Sequence, residues 1–389
     1  AAGGWARRRR PPLQKLAPRH GAVQYTDRGT LLRDGVPFFP FGMYYVERHL
    51  DGAFLESYAG AGFNTFLLEW GSAESFVVKT REVKDHGLVP IVGLHNTNEM
   101  RSATANESDY SLENLQRGRL PVAADTIRML SRQMGDSMLA WYTRYEPNES
   151  MYKMVRGLHD VAHATDPYHP TMTVIFQPHL FPHYHDATDI LGPDIYPTFP
   201  GGSVSRVGEA MRKAVRDLQG KPILAVLQSF YPKGRRMPNR AEFRCMAYLS
   251  VVSGATGIMW FSYDYNGKMA EEHPEAWRAL QELAGEFKQL GPVFLSLYPH
   301  AHLQRAQLGM SDGLRAAVWQ LDNFRYVVVV NEVNQQQGRV KLDLSDVAGA
   351  RDVEVLFEDR TLQRERDGSL SDHFAPYDVH IYRIRTDAE

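Results

Sequence analysis

Between residue 38 and about residue 290 the chain alternates apolar, β-rich runs with amphipathic stretches at a nearly constant interval, and this alternation constrains the fold more than any other feature. Strand-like runs cover residues 38–45, 63–70, 88–95, 138–146, 171–177, 189–197, 222–230 and 257–265. Helical patterns cover 54–61, 73–86, 123–134, 151–164, 204–218, 240–252 and 274–290, with a long polar loop at 96–120. Read as eight strand–helix units, the pattern predicts an α/β protein, a (β/α)8 TIM barrel.

After residue 296 the period changes. Short alternating strands such as 314–320, 326–331, 340–344 and 353–357 are separated by turn residues, which predicts a small antiparallel β-sandwich. The expected organisation is a basic N-terminal arm at 1–22, a barrel with an N-terminal hairpin at 23–296 and the sandwich at 297–389. A chain of 389 residues accommodates a barrel of about 250 residues plus such a domain. A formal net charge of -2 argues against a general nucleic-acid binder. No apolar run is long enough to span a membrane.

The arm carries Arg7, Arg8, Arg9 and Arg10 and reads as a solvated tail or as a dock for an acidic protein partner. Cys245 falls in a helical pattern and reads as a small buried hydrophobe. Glycosylation sequons begin at Asn106 and Asn148 and read as chance matches unless the protein is secreted; location is left open, with an extracellular one favoured over others.

In a barrel, the residues that line a site sit at the C-terminal ends of the strands. The fourth run, Met138 to Glu149, is apolar and then breaks into Glu146, Pro147 and Asn148. Pro147 stops the ladder and biases Glu146 toward extended backbone. The other strand ends supply Tyr44 and Tyr45, Glu69 and Trp70, His95 and Asn96, Gln177 and His179, Asp194 and Tyr196, Gln228, and Trp260, Tyr263 and Asp264. Aromatic faces and amide or carboxyl groups suit a carbohydrate better than a phosphate. No Gly-rich phosphate loop appears, and no cofactor is expected. His179, His183 and His185 lack helical i, i+4 spacing, so no metal is expected there. Structural readings stand beside these. Glu146 would pair with Arg144, Asp194 would cap a turn, and Trp70 and Trp260 would belong to the core.

With Trp141 to Asn148, Asp194 to Pro197, Gln228 to Phe230, Gly257 to Tyr263 and the late strand at Val379 to Arg383, the chain resembles the clan-A glycoside hydrolases over about residues 30–385. The resemblance implies Glu146 as general acid and an oligo- or polysaccharide as partner, bound by Trp70, His95, Asn96, Tyr196, Gln228, Trp260 and Tyr263. The family has Asn or Asp before the acid; here Tyr145 stands there. It has a nucleophilic Glu on strand seven; here Gln228 stands there. An amide forms no glycosyl ester, so the second carboxylate is expected at Asp194, with Glu69 and Asp264 as reserves. The alternative is an inactive glycosidase fold used for sugar binding or assembly.

Overall fold

The computed structural model describes residues 16–103, 111–199, 202–296, 299–300, 312–344 and 349–386. Eight parallel strands close into a barrel: β1 (Phe41–Met43), β2 (Thr65–Leu68), β3 (Val89–Gly93), β4 (Ala140–Tyr145), β5 (Thr171–Ile175), β6 (Ile190–Ile195), β7 (Leu224–Gln228) and β8 (Gly257–Phe261). Their order round the barrel is their order in the chain, and β8 pairs with β1 to close it.

Helices α1 (Gly52–Ala61), α2 (Ala73–Lys84), α3 (Asn98–Ser102), α4 (Leu112–Arg117), α5 (Arg119–Met134), α6 (Tyr152–Thr165), α7 (Ser205–Asp217), α8 (Arg240–Val252), α9 (Met269–Glu272) and α10 (Pro274–Phe294) surround it. Side-chain caps fix their starts: Asp51 accepts from Phe54 N, and Asn239 with Glu242 forms a capping box on α8. Of the eight strand–helix units expected from the pattern, the fifth has no α-helix. Between β5 and β6 the chain makes two 3-10 turns, Pro178–Leu180 and Pro182–Tyr184, because a proline opens each and neither continues into α-helix. The polar stretch after β3 holds α3 and α4; Asn106 and the Arg7–Arg10 arm lie outside the described residues.

Alternation along each strand sorts the side chains into two cores. Leu67, Ile91, Ala140, Tyr142, Met172, Val174, Ile190, Val226 and Met259 fill the barrel. Phe66, Val92, Trp141, Leu191, Leu227 and Trp260 point outward and pack under the helices. Gly192 points inward, where a Cβ would stand 2.7 Å from Val174 Cγ2 and 3.0 Å from Met172 Cε, so glycine leaves room for its neighbours. Each fully buried side chain of this size contributes roughly 1.5–3 kcal/mol.

A three-stranded sheet of Val23–Tyr25, Leu31–Arg33 and Val36–Pro37 plugs the N-terminal floor with Val23 and Leu31. Strands β9 (Leu314–Leu321), β10 (Phe324–Asn331), β11 (Gly338–Leu342), β12 (Asp352–Val355), β13 (Arg360–Gln363), β14 (Leu370–Phe374) and β15 (Val379–Arg385) follow the barrel. One sheet runs from the short strand Pro299–His300 through β9, β10, β15 and β12 to β13; β11 and β14 form a second. Val318, Val329, Leu342, Val355 and Phe374 pack between the two sheets. The opposite face of the larger sheet, with Trp319, Val328 and Ile381, joins the core beneath α8 and α10. Cys245 is buried there and donates to the Asn331 carbonyl at 3.4 Å.

Candidate active site

At the C-terminal end of β4 the register against β5 slips: Tyr142 pairs with Met172 but Arg144 with Thr173. This bulge at Thr143 shifts the alternation by one, so Tyr145 turns inward after Tyr142 and stacks on Phe261 at 5.9 Å. Glu146 follows with φ 44, and its N–H donates to Val174 O at 2.8 Å. The expected extended backbone is thus corrected. Glu146 sits in the left-handed region, held there by the hydrogen bond to β5 and by buried Pro147 behind it. No ion pair joins it to Arg144 among the described residues, and Arg144 Nε is buried without a hydrogen-bond partner.

Asp194 comes from the inward row of β6 and is buried, 2% exposed. Neither of its oxygens meets a hydrogen-bond donor in good geometry. Its carboxyl faces that of Glu146 at close range. Burial, and then the Glu146 carboxyl, hold the Asp194 acid well above the usual carboxylate range, with the Tyr196 hydroxyl drawing it partly back. The Tyr196 and Tyr145 hydroxyls bond each other at 3.2 Å beside it.

Across the barrel, Glu69 ends the inward row of β2. Asn96 Nδ2 donates to it at 2.8 Å, and His95 Nε2 lies 3.5 Å away. Burial keeps the His95 imidazole low despite that carboxylate. Glu47, which the sequence reading passed over, is also buried here. Neither of its oxygens has a partner in good geometry, and burial with Glu69 nearby pushes it to about 7. Its sequence signal was slight: an acid three residues beyond Tyr44, past the end of a strand.

Three expected sugar contacts take other places. Gln228 points inward but is completely covered. Its amide donates to Thr198 Oγ1 and to Phe230 O at 3.0 Å, and its carbonyl accepts from Thr198 N at 3.0 Å. All of this binds the loop after β6 to β7 and leaves nothing for a ligand. Trp260 has outward parity and packs edge-on against Phe243 and Phe41, wholly buried. Tyr263 is wedged against Phe54 and Trp277, 5.0 and 5.3 Å between ring centres. Trp70 is half-buried under the Arg101 guanidinium. Of the reserves, Asp264 is bound by His49 at 3.0 Å, with Arg48 3.8 Å away.

The aromatic rim is built instead from residues the sequence reading did not single out. Exposed Phe199 and Tyr265 flank Phe230, which meets both and Tyr196 edge-on at 5.0–6.0 Å, with Phe261 behind. Exposed Phe176 stands at the end of β5. Each lies one to four residues past a strand end, and only Phe230 falls in a stretch that carries the resemblance. His179, His183 and His185 are exposed and form no metal-ligand group; the described residues that do are His159, His163 and Asp189, at the other end of the barrel.

No protein-family model and no curated protein matches this chain in sequence. Its fold has clear relatives among solved structures. A glycoside hydrolase family 5 protein from Bacteroides vulgatus aligns over 95% of this chain and 94% of its own with a TM-score of 0.65 at 12% identity. The β-galactosidase from Bacillus circulans sp. alkalophilus aligns over 89% and 99%, with a TM-score of 0.66 at 10% identity. A GH30 endoxylanase from Clostridium papyrosolvens C71 aligns over 94% and 98%, with a TM-score of 0.57 at 12% identity. What these likenesses show is the fold, a (β/α)8 barrel followed by a β-sandwich, shared with proteins named as glycoside hydrolases.

Proposed function

We propose that the protein cleaves a glycosidic bond in an oligo- or polysaccharide, with Glu146 delivering the proton that it shares with the buried Asp194 carboxyl. The observation that carries this reading is the buried Asp194 carboxyl, set against Glu146 beside the Tyr196 hydroxyl, under an aromatic rim. Two carboxyls at such range do not both ionise readily, so one proton stays with them. Glu146 is the more accessible member and reaches the glycosidic oxygen. Phe199 and Tyr265 offer faces for the C–H side of a pyranose ring.

A directly interacting pair is closer than the ~5–5.5 Å of a retaining enzyme or the ~6.5–9.5 Å of an inverting one. Asp194 therefore fits a proton-holding role beside Glu146 better than that of an opposing base. Glu69, on the far strand and oriented by Asn96, is our choice for the second carboxylate.

A panel of aryl glycosides and oligosaccharides tests the reading. We expect turnover of at least one class, with Glu146→Gln lowering kcat by about 10²–10⁴-fold. A second reading, carbohydrate binding without hydrolysis, is favoured by Gln228, whose amide stands where the resemblance expects a nucleophile and is already fully bonded. It gains if the wild type is inert on every substrate yet binds an oligosaccharide calorimetrically, with an affinity that survives Glu146→Gln.

A further inference from the structure

The floor of the barrel carries a second group of chemistry-bearing side chains, remote from Glu146 and Asp194. His159 and His163 are four residues apart on α6 and so share one face of the helix. Their rings approach to 4.4 Å between centres. Asp189 stands just before β6, at the N-terminal end of the barrel, opposite the mouth. One ring nitrogen from each histidine and one oxygen of Asp189 lie within 4.8 Å of one another.

We infer that His159, His163 and Asp189 form a binding site for a divalent transition metal of the zinc type. Two imidazoles and a carboxylate suit such an ion in kind and number, leaving the fourth position of a tetrahedral site to water. The ligands are held as ligands generally are. Asp189 is 8% exposed at its side chain; the Thr171 N–H donates to its Oδ2 at 2.8 Å, and the Tyr25 hydroxyl from the floor sheet donates to Oδ1 at 3.2 Å. His159 Nδ1 lies 2.7 Å from Thr171 Oγ1 and 3.9 Å from Asp189 Oδ2. His163 Nε2 lies 2.8 Å from the same oxygen, and its side chain is 46% exposed, which gives the ion a way in and a position open to water.

One cation stands nearby. Lys221 Nζ is committed to the carbonyl oxygens of His185 and Thr188, at 2.5 and 2.7 Å, and does not occupy the carboxylate. The bare arrangement is a His163–Asp189 hydrogen bond; a metal would replace it with three coordinate bonds and tie α6 to the start of β6.

The test uses the full chain without an affinity tag, stripped with a chelator and dialysed. Zn²⁺ is titrated calorimetrically, and Co²⁺ is followed by its visible absorption. We expect one equivalent bound, with the tetrahedral cobalt spectrum, and a zinc-dependent rise in Tm. His163→Gln, at a half-exposed position that tolerates the change, and His159→Gln should each weaken zinc by at least about 100-fold, and Tyr25→Phe by about 10-fold. His185→Gln, exposed and outside the group, should change nothing. The inference is overturned if the wild type binds no zinc at micromolar concentrations. It is equally overturned if the bound equivalent survives in folded His163→Gln and His159→Gln, since the ion then sits on other side chains.

Discussion

Glu47 is a buried acid with no partner in good geometry, and its ionisation is felt by the whole fold. Burial is the larger cause of its shift to about 7, and the Glu69 carboxylate adds to it, while its own backbone N–H pulls the other way. A carboxyl whose folded value lies above its unfolded one favours the native state in its protonated form. That contribution is complete below about pH 4.5 and is lost as pH rises to about 7, an effect of about 3 kcal/mol. Glu47→Gln keeps the shape and removes the titration. Urea midpoints at pH 5 and pH 8 should therefore show the variant gaining on the wild type by about 3 kcal/mol at the higher pH. An equal difference at both values would mean that Glu47 ionises as an ordinary surface acid does.

At the scale of elements, the end of β7 decides how the site departs from what the resemblance implies. Gln228 donates twice and accepts once, and every bond runs to Thr198 or Phe230. Gln228→Glu would restore the carboxylate that the resemblance expects. It would also bury a charge, lose both donors and set an oxygen against the Phe230 carbonyl. We expect a loss of about 2–3 kcal/mol in stability and no rise in glycosidase turnover; a variant that gains hydrolysis would show that the amide is simply a lost nucleophile. The chain's alternation was enough to read the eight strands, but Trp260 was expected to line the site beside Asp194, and only the closed barrel turns it outward. Alternation did not reveal the Thr143 bulge, which turns Tyr145 inward, because a one-residue slip leaves no trace in composition. It was equally silent on Phe199, Phe230 and Tyr265, since loop residues meet only once the strands have closed. The i, i+4 pair His159 and His163 was visible on its helix, but Asp189 belongs to it only through the barrel's closure.

For the whole molecule, the question is whether barrel and sandwich unfold together. The seam between them is apolar and continuous with the barrel's outer core. Trp319 on β9 meets Phe294 of α10 at 5.2 Å, and Val328 and Ile381 belong to the same cluster as Tyr248 and Phe287. A polar bond crosses it as well: Arg244 on α8 donates to Val379 O of β15 at 2.5 Å, and it is held in place within the barrel by Glu286 of α10 at 3.0 Å, which also accepts from Tyr248 at 2.7 Å. Glu286 is 9% exposed, so removing Arg244 would strand a buried carboxylate rather than free a surface one. A seam of this kind transmits unfolding, because either part alone would expose the apolar face of the other. Calorimetry of the wild type should therefore give a single transition with equal calorimetric and van't Hoff enthalpies. Trp319→Ala opens a cavity in the seam, and we expect it to cost about 3–5 kcal/mol and to split the transition into a sandwich step and a barrel step. Two transitions in the wild type would contradict the coupling. A single transition in Trp319→Ala, shifted by no more than a surface substitution would shift it, would place the coupling in the Arg244 bonds instead of the apolar seam.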